Sequence, residues 1–476
     1  MGAVLTARHP AHMEPPLQIS PSSLADPGPA PADGSAAAAS GRKVYVETYG
    51  CQMNIADTEV VAAILKRAGY RCVESPEEAD VILINTCAVR ENAEERVIGR
   101  ASQLSGLRAH NPNLTIGILG CMAQHLAASL PKRAPFVDLV MGPDSYQRLP
   151  DILAQTSSEA LLDVRLSRVE NYVGIDAARK SGTNAWVTII RGCDKFCTFC
   201  IVPYVRGRER SLDPDEVLRQ VTQLASEGFR EVTLLGQTVN SYHFEQTDFA
   251  DLLRAVAAVD GIERVRFTSP FPKDFTERAI AAMAELPEVC PALHLPVQSG
   301  SDSQLESMRR GYSISEYRDL VARLRAAIPD LSLSSDIIVG FCGESEEDFR
   351  QTVRLMEEMR FDSAFMFKYS ERSGTAAHRK LPDDVPEELK LKRLQEIIAL
   401  QEQISFEVNQ RWVGKSVRVL VQGNSKRKTA EGVRNRFGRS AHGKVVVFPE
   451  EAEANSLRSV LVDRATSHTL YGSAQD

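Results

Sequence analysis

Apolar strand-like runs alternate with helical stretches along most of this chain of 476 residues. In the first third of the chain, such runs lie at 44–48, 81–84, 115–119 and 137–141. Strands that alternate with helices predict a parallel sheet with helices on both faces. A second series of runs lies at 187–190, 232–235, 265–268, 293–297, 332–339 and 364–369. Six strands are two short of a full TIM barrel, so this series predicts an open, partial (β/α)6 barrel.

The remaining segments complete the predicted domain organisation of a chain whose main domains belong to the α/β class. Short β-rich runs between polar turns near the C-terminus predict a small β-barrel. The first forty residues are rich in proline and alanine, which is typical of a disordered tail and not of a signal peptide. No apolar run approaches the roughly 18 residues that a membrane helix needs. The predicted parts are a tail (1–42), an N-terminal α/β domain (43–154), a linker (155–185), the partial barrel (186–410) and the C-terminal β-barrel (411–474).

Three of the nine cysteines stand in one short loop after the first strand of the second series. Cys193, Cys197 and Cys200 have the spacing C-x3-C-x2-C. Zinc sites usually use four protein ligands, whereas three thiolates in one loop suit a [4Fe-4S] cluster with one open iron. The spacing therefore favours a cluster, and a zinc loop with a distant fourth ligand is the alternative.

A second set of cysteines recurs at one topological position. Cys51, Cys87 and Cys121 each follow a strand of the first series, in the loop that leads to the next helix. In a parallel sheet these loops lie along one edge, where open α/β sheets bind their ligands. The recurrence favours three ligands of one metal site over three unrelated buried thiols. The cysteines predicted to be non-ligands are Cys72, Cys290 and Cys342.

The loop from Cys193 to Cys200 resembles the signature of the radical S-adenosylmethionine (SAM) superfamily. The resemblance implies that its three thiolates are the catalytic ligands of a [4Fe-4S] cluster whose open iron binds the amino and carboxylate groups of SAM. One electron then cleaves SAM to a 5′-deoxyadenosyl radical, which abstracts a hydrogen atom. Phe199 matches the aromatic residue that packs near the adenine of SAM in that superfamily.

The wider sequence is similar to one branch of that superfamily, the methylthiotransferases of the MiaB type. These enzymes modify N6-isopentenyladenosine at position 37 of tRNA, and the resemblance runs from Lys43 to Gly472. The motifs that carry it are Tyr49-Gly-Cys-Gln-Met-Asn54, Asn85-Thr-Cys87, Leu119-Gly-Cys121, Arg191-Gly-Cys193, Arg206-Gly-Arg-Glu-Arg-Ser211, Leu235-Gly-Gln-Thr-Val-Asn240 and Leu295-Pro-Val-Gln-Ser-Gly-Ser301. The chain departs from the family at Cys342 and Ser345, where proline and threonine are usual.

This resemblance implies an enzyme that places a methylthio group on C2 of the isopentenylated adenine. Cys51, Cys87 and Cys121 would hold a second [4Fe-4S] cluster, which carries the sulfur. Two molecules of SAM are used per turnover, one to methylate the sulfur and one to supply the radical that removes hydrogen from C2. The residues that match SAM contacts are Gly236, Gln237, Gln298, Ser299, Ile338 and Gly340, each of which could instead be an ordinary turn or strand residue.

Positive charge is concentrated at the C-terminal end. From Arg411 onward, twelve Lys and Arg against six Asp and Glu give a net charge of +6, although the whole chain carries −7. This end resembles the TRAM domain, a small RNA-binding barrel, which implies contact with the tRNA anticodon stem-loop. Its basic residues include Lys415, Arg418, Lys426, Arg427, Lys428, Arg434, Arg436, Arg439 and Lys444. Trp412 and Phe437 are candidates for stacking on unpaired bases.

The enzyme class implies further partners and a location. We expect an electron donor such as flavodoxin or ferredoxin, a cytoplasmic location, no membrane association and a monomer. Two other functions stay open: a methylthiotransferase for a ribosomal-protein aspartate or threonylcarbamoyl-adenosine, and a non-catalytic zinc-containing RNA-binding protein. Arg206, Arg208 and Arg210 are predicted to meet the SAM carboxylate or RNA phosphate, or else to form a solvated basic loop.

Overall fold

The chain divides into two compact units, residues 1–165 and 166–476. The computed structural model describes residues 41–88, 91–155, 160–179, 182–428 and 434–475. Most of the predicted tail, up to residue 40, lies outside these ranges. Within them, no helix is both long enough and apolar enough to cross a membrane.

The first unit contains a six-stranded sheet in which every pair of neighbouring strands is parallel. Its strands are β1 (Lys43–Tyr49), β2 (Arg71–Cys72), β3 (Val81–Thr86), β4 (Thr115–Gly120), β5 (Leu139–Met141) and β6 (Leu161–Asp163). Its helices are α1 (Gln52–Arg67), α2 (Glu91–Ser105), α3 (Cys121–Leu126), α4 (Leu130–Arg133) and α5 (Leu149–Leu153). The strand order is β2-β1-β3-β4-β5-β6.

Strand β3 shows why this unit forms a covered parallel sheet. All six of its residues are buried. Ile82 and Ile84 share a core with Val97 and Ala101 of helix α2. A strand that is buried along its whole length requires packing on both faces, which a parallel sheet between helices provides. The α/β fold predicted for this part of the chain is therefore confirmed.

Strand β6 lies within the segment that was predicted to be a linker. It pairs with β5, and the carboxylate of Asp163 at its end is buried. This carboxylate accepts hydrogen bonds from Nε of Arg148 at 2.6 Å and from Oγ of Ser145 at 2.9 Å. Burial raises the pKa of Asp163, but hydrogen bonds from Arg148, Arg165 and Ser145 outweigh it and lower the pKa to about 2. Polar contacts thus stabilise a strand that the apolar pattern does not reveal.

Parallel strands form an arc in the first part of the second unit. The strands before its C-terminal part are β7 (Asn184–Thr188), β8 (Ile190–Arg191), β9 (Arg210–Ser211), β10 (Glu231–Leu235), β11 (His243–Phe244), β12 (Thr247–Asp248), β13 (Arg264–Phe267), β14 (Ala292–His294), β15 (Ser332–Val339) and β16 (Ser363–Lys368). One three-stranded sheet has the order β13-β10-β7 and another the order β14-β15-β16. A parallel bridge between Val265 and Val289 lies where the two sheets meet. The predicted partial barrel is confirmed.

Helices surround this arc. They are α6 (Val202–Arg206), α7 (Pro214–Ser226), α8 (Phe249–Ala257), α9 (Glu277–Glu285), α10 (Asp302–Ser307), α11 (Ile314–Ala327), α12 (Glu346–Met359), α13 (Ala376–Lys380) and α14 (Glu387–Gln410). Several begin with side-chain caps that the sequence encodes locally. In α11, for example, Ser313 and Glu316 form a capping box, which satisfies backbone N–H groups at the helix start.

The C-terminal part is a closed barrel in the order β17-β18-β19-β21-β20, where strand numbers continue along the chain. Its strands are β17 (Ser416–Lys428), β18 (Arg434–Ser440), β19 (Val445–Phe448), β20 (Leu457–Ala465) and β21 (Thr469–Gln475). Alternate side chains such as Val417, Val419 and Val421 fill its interior. The predicted small β-barrel is confirmed.

This C-terminal barrel is attached to the arc at the starts of the parallel strands. Arg264, the first residue of β13, donates hydrogen bonds to the carbonyl oxygens of Arg439 at 2.7 Å and Arg418 at 2.8 Å. Arg266 donates to the carbonyl oxygen of Ser440 at 2.8 Å. Lys444 forms an ion pair with Asp362, just before β16. The barrel therefore lies at the end of the arc opposite to the carboxyl ends of its strands.

Candidate active site

The loop with the three cysteines of the second unit begins at the end of β8. Gly192 has a φ of +79°, and a Cβ there would lie 2.0 Å from the carbonyl oxygen of Arg208. Only glycine fits such a close approach of two backbone segments. The turn places Cys193 so that its N–H donates to the carbonyl oxygen of Gly207 at 3.1 Å. The start of the loop is therefore set by backbone geometry.

Backbone hydrogen bonds also hold the middle of this loop. Thr198 donates its N–H to the carbonyl oxygen of Met308 at 3.0 Å, and its own carbonyl accepts from Ala377 at 2.8 Å. Within the loop, the N–H of Cys200 donates to the carbonyl oxygen of Cys197 at 3.0 Å. The backbone that carries the thiols is thus attached to segments on two other sides, which restricts where the thiols can move.

The thiols of this loop influence one another. Burial, together with the nearby Cys197, raises the pKa of Cys193 and Cys200 to about 12. Thiolates at these positions therefore need a cation, and three of them form the donor set of a [4Fe-4S] cluster with one open iron. As placed, the side chains in the described ranges form no group of three metal ligands. The donor chemistry and the anchored loop nonetheless fit the cluster, because each thiolate of a [4Fe-4S] cluster binds a different iron.

The end of β10 lies beside this loop. A Cβ on Gly236 would lie 2.3 Å from Cγ2 of Ile190, so glycine allows the strand end to approach β8 closely. The next residue, Gln237, has a buried Oε1 without a hydrogen-bond partner among the described residues. An unsatisfied buried oxygen costs about 1–3 kcal/mol. This oxygen is therefore suited to accept a hydrogen bond from a ligand.

Gln298 and Ser299 form a turn after β14. Gln298 has a φ of +76°, donates its N–H to the carbonyl oxygen of Asp336 and accepts from the N–H of Ile338 at 2.8 Å. Ser299 is fully buried, and its hydroxyl lies 3.3 Å from that of Thr352. The backbone of this turn is bound to β15. The hydroxyl of Ser299 is engaged inside the fold, so its predicted contact with SAM stays a prediction.

Phe199 and Ile338 pack against one small apolar cluster. Its buried members are Met308, Phe341, Cys342, Tyr369 and Ala377. The ring of Phe199 meets that of Phe341 edge-on, with centroids 6.4 Å apart. Gly340, at the end of the same strand as Ile338, has a φ of +70° and donates its N–H to Oε2 of Glu344 at 2.7 Å. The structure thus places two apolar residues that were predicted to contact SAM, Phe199 and Ile338, against the same cluster.

The cysteines of the first unit follow three neighbouring strands at matched register. Tyr49 of β1 pairs with Thr86 of β3, and Thr86 pairs with Gly120 of β4. The cysteines that follow these strand ends are Cys51, Cys87 and Cys121. Neighbouring strands lie about 4.8 Å apart. The three cysteines are therefore brought to one short stretch of the sheet edge, as the sequence predicted.

Two buried asparagines connect the segments beside these cysteines. Nδ2 of Asn85 donates to the carbonyl oxygen of Asn54 and to Oγ1 of Thr58, both at 2.9 Å. Nδ2 of Asn54 donates to the carbonyl oxygen of Thr86 at 3.1 Å. Gly120 has a φ of +90°, and a Cβ there would lie 2.4 Å from Oδ1 of Asn85. The network binds the start of α1 to the end of β3 and leaves no space for a side chain at Gly120.

Replacement of Gly120 by alanine is expected to lower the free energy of unfolding of the first unit by roughly 2–5 kcal/mol, because it combines left-handed strain with a clash. Chemical denaturation followed by far-UV circular dichroism would measure this. The matched control is Gly99→Ala in helix α2, where a Cβ meets nothing within 4 Å. That substitution should be neutral or stabilising by up to about 1 kcal/mol. Equal effects of the two substitutions would contradict the close packing at Gly120.

Two arginines of the 206–211 motif are buried, whereas Arg208 is exposed. Arg210 is buried and donates to the carbonyl oxygen of Ser167 at 2.7 Å. Arg208 donates to the carboxylate of Asp194 in the cysteine loop, with Nη2 at 3.1 Å. Arg206 is also buried. A solvated basic loop is therefore the wrong description of Arg206 and Arg210, because both side chains are buried.

The structure of the C-terminal barrel shows that part of the predicted RNA-binding surface is not exposed. Lys444 is buried, with its Nζ 2.5 Å from Asp362, so it does not belong to an exposed basic surface. Trp412 is half-buried and packs against His442, with ring centroids 4.6 Å apart. Arg434 and Lys415 are exposed. The side chains of 426–428 lie outside the described residues.

Two family models match the chain, and solved structures share its fold. The Radical SAM superfamily matches residues 187–356, and the Uncharacterized protein family UPF0004 matches residues 43–142. The radical SAM methyltransferase TsrM from Kitasatospora setae, with cobalamin and a [4Fe-4S] cluster bound, has a TM-score of 0.55 at 14% identity. That similarity covers 71% of this chain and 74% of that chain. Fold and cysteine loop together define a radical SAM enzyme, a class that uses SAM and a [4Fe-4S] cluster.

Curated relatives identify the branch of this class. The tRNA-2-methylthio-N(6)-dimethylallyladenosine synthase of Porphyromonas gingivalis strain W83 is 49% identical over 442 residues, which are 90% of this chain and 94% of that protein. The synthase of the same name from Chloroherpeton thalassium is 46% identical over 436 residues, covering 91% and 96%. The chain belongs to this family of tRNA-2-methylthio-N(6)-dimethylallyladenosine synthases. The predicted family and enzyme class are confirmed, and the zinc-protein alternative receives no support.

Proposed function

We propose that this chain inserts a methylthio group at C2 of N6-isopentenyladenosine at position 37 of tRNA, using two [4Fe-4S] clusters. The observation that carries the proposal is the placement of two cysteine triplets, one within a single anchored loop and the other along one edge of a parallel sheet. The triplets are Cys193, Cys197 and Cys200 after β8, and Cys51, Cys87 and Cys121 after β1, β3 and β4. Radical generation and sulfur delivery are separate tasks, and each needs an iron with an open position.

When bound, the clusters would supply the electron for cleavage of SAM and the sulfur that is transferred. The chain itself would position SAM. Oε1 of Gln237, buried and unsatisfied, would accept a hydrogen bond from the amino group of SAM. Phe199 and Ile338 would pack against its adenine, since both contact the same apolar cluster. The turns at Gln298 and Gly340 would border the bound SAM, and Gly236 would let the end of β10 pack closely against Ile190.

Two molecules of SAM would be consumed in each turnover. One transfers its methyl group to the sulfur and leaves as S-adenosylhomocysteine. The other is cleaved to methionine and 5′-deoxyadenosyl radical, which takes the hydrogen atom from C2 and leaves as 5′-deoxyadenosine. The new C2–S bond replaces the C2–H bond. When bound, the clusters would supply the electron that cleaves SAM and would take back the electron left over when the C2 radical combines with the methylated sulfide.

We also propose the domain boundaries 1–42, 43–154, 155–185, 186–410 and 411–474, in which the connecting segment 155–185 adds strand β6 to the first sheet and the last part acts as a TRAM-type RNA-binding barrel. Its net positive charge supports contact with the phosphates of the tRNA anticodon stem-loop. A cytoplasmic location follows from the tRNA substrate. The electron donor would be a one-electron protein such as flavodoxin or ferredoxin, and the enzyme would act as a monomer without membrane association.

The RNA-binding role of the barrel predicts a change in salt dependence. In the double variant Lys415→Gln and Arg434→Gln, affinity for an anticodon stem-loop should fall, and the slope of log K against log salt should decrease by about 1–2. Fluorescence anisotropy at several salt concentrations would measure both quantities. The control is Arg323→Gln on helix α11, outside the barrel. Unchanged affinity and slope in the double variant would contradict RNA binding at these positions.

Nucleoside analysis tests the proposed substrate. A strain that lacks this gene should accumulate N6-isopentenyladenosine in its tRNA and lack the 2-methylthio derivative, and the intact gene should restore it. Loss of methylthiolated threonylcarbamoyl-adenosine, or of a modified ribosomal-protein aspartate, would instead identify another branch.

Anaerobic iron analysis of the purified protein should give about eight iron atoms per chain. One or two zinc atoms in their place would refute the cluster assignment.

A further inference from the structure

A buried arginine lies against the middle cysteine of the radical SAM loop. Nη1 of Arg310 is 3.4 Å from Sγ of Cys197, within hydrogen-bond distance for sulfur. Arg310 follows helix α10 and is 6% exposed, whereas its neighbour Arg309 is exposed. The guanidinium therefore reaches the thiol from inside the protein.

The surroundings of Arg310 fix its position without neutralising its charge. Nη2 donates to the carbonyl oxygen of Pro296 at 2.8 Å, and Nε lies 3.0 Å from the hydroxyl of Tyr312. The guanidinium carbon lies 4.6 Å from the ring centroid of Phe271. No ion pair with a carboxylate is formed by Arg310 in the described part of the chain. A buried cation requires an anionic partner, and Cys197 is the group in contact that becomes anionic when it binds iron.

We propose that Arg310 is a positioning residue that orients Cys197 and stabilises the reduced state of the radical SAM cluster. The inference rests on the cluster assigned above to Cys193, Cys197 and Cys200. Reduction adds one negative charge to a site whose ligands are already anionic. A fixed positive charge beside a ligand sulfur favours that reduced state, since hydrogen bonds and net charge near the sulfurs set the potential of such clusters. Arg310 would thereby make the electron transfer to the cluster easier.

The test compares Arg310→Met, Arg310→Lys and the control Arg309→Met in full-length reconstituted enzyme. Iron content, cluster absorbance and a spectroelectrochemical titration of the reduced-cluster signal would be measured for each. In Arg310→Met, the ratio of reduced to oxidised cluster at a fixed potential should fall at least tenfold, which corresponds to about 59 mV for one electron. Arg310→Lys keeps the charge and should recover most of the shift, and Arg309→Met should match the wild type.

If Arg310 had only a structural role, its variants would show a different combination of iron content and cluster potential. Full iron with an unchanged potential in Arg310→Met would overturn the proposal while leaving the proposed function intact. If Arg310→Met does not load the radical SAM cluster and so loses about half of the iron, Arg310→Lys decides. A loaded lysine variant with a near-normal potential would support the charge effect, and a lysine variant that also fails to load would overturn it. Wild-type enzyme without iron would refute the proposed function itself.

Discussion

Replacement of Cys197 by alanine is expected to abolish reductive cleavage of SAM while about half of the iron stays bound. Cys197 stands between the other two cysteines of its loop and influences the thiols of both. Its loss removes one of three ligands, so a four-iron cluster at this place would not be retained. Iron should fall from about eight to about four atoms per chain. The amount of 5′-deoxyadenosine formed with dithionite would measure the loss of radical chemistry.

Cys290→Ala is the matched control for this experiment. Cys290 lies in the same unit and is equally buried, but it is outside the cysteine loop and was predicted to be a non-ligand. Its substitution should leave SAM cleavage and iron content near the wild-type values. Continued formation of 5′-deoxyadenosine by Cys197→Ala would sink the assignment of the loop as the SAM-cleaving centre.

Replacement of Cys87 by alanine is expected to have the complementary effect. Cys87 follows β3, which lies between β1 and β4, so it is the middle member of the edge triplet. Its loss should again remove about four iron atoms per chain. Because the loop from Cys193 to Cys200 is intact, SAM cleavage should continue without sulfur insertion. Mass spectrometry of digested tRNA would show isopentenyladenosine without the methylthio group, and the reaction mixture would contain 5′-deoxyadenosine.

Cys72→Ala provides the comparison for Cys87→Ala. Cys72 is in β2 of the same sheet, away from the edge where the triplet lies. That variant should make the 2-methylthio product at the wild-type rate. Normal product from Cys87→Ala would refute the second cluster, and loss of SAM cleavage in Cys87→Ala would show that the two triplets do not act separately.

Much of the fold can be predicted from the pattern of apolar residues. The features that this pattern does not predict have physical causes. The apolar run predicted at 332–339 matches β15, whereas helix α1 begins at Gln52 in a stretch that is largely polar. The first turns of α1 bury polar residues, including Asn54 and Thr58, which hydrogen-bond to β3. The periodicity of apolar residues does not predict where helix α1 begins, because the contacts that stabilise its first turns are polar.

In the candidate site, too, features that depend on buried polar contacts could not be predicted from the sequence. The positions of the cysteines after strands were predictable, since parallel strands bring their carboxyl ends to one edge. The contact between Arg310 and Cys197 was not, because 113 positions separate the two residues and an arginine in sequence looks like a surface residue. The orphaned Oε1 of Gln237 likewise depends on which groups surround it in three dimensions. Buried polar partners are set by tertiary structure and leave no local signal.

The attachment of the C-terminal barrel by Arg264 and Arg266 has a consequence for substrate choice. The strands of the arc run for 3 to 8 residues between that attachment and the cysteine loop, a length of about 10–26 Å at 3.3 Å per residue. An RNA held on the barrel would have to bridge this gap to present a base at the loop. The enzyme would then select a nucleotide first by its distance from the RNA stem that is bound to the barrel, and only afterwards by the identity of its base.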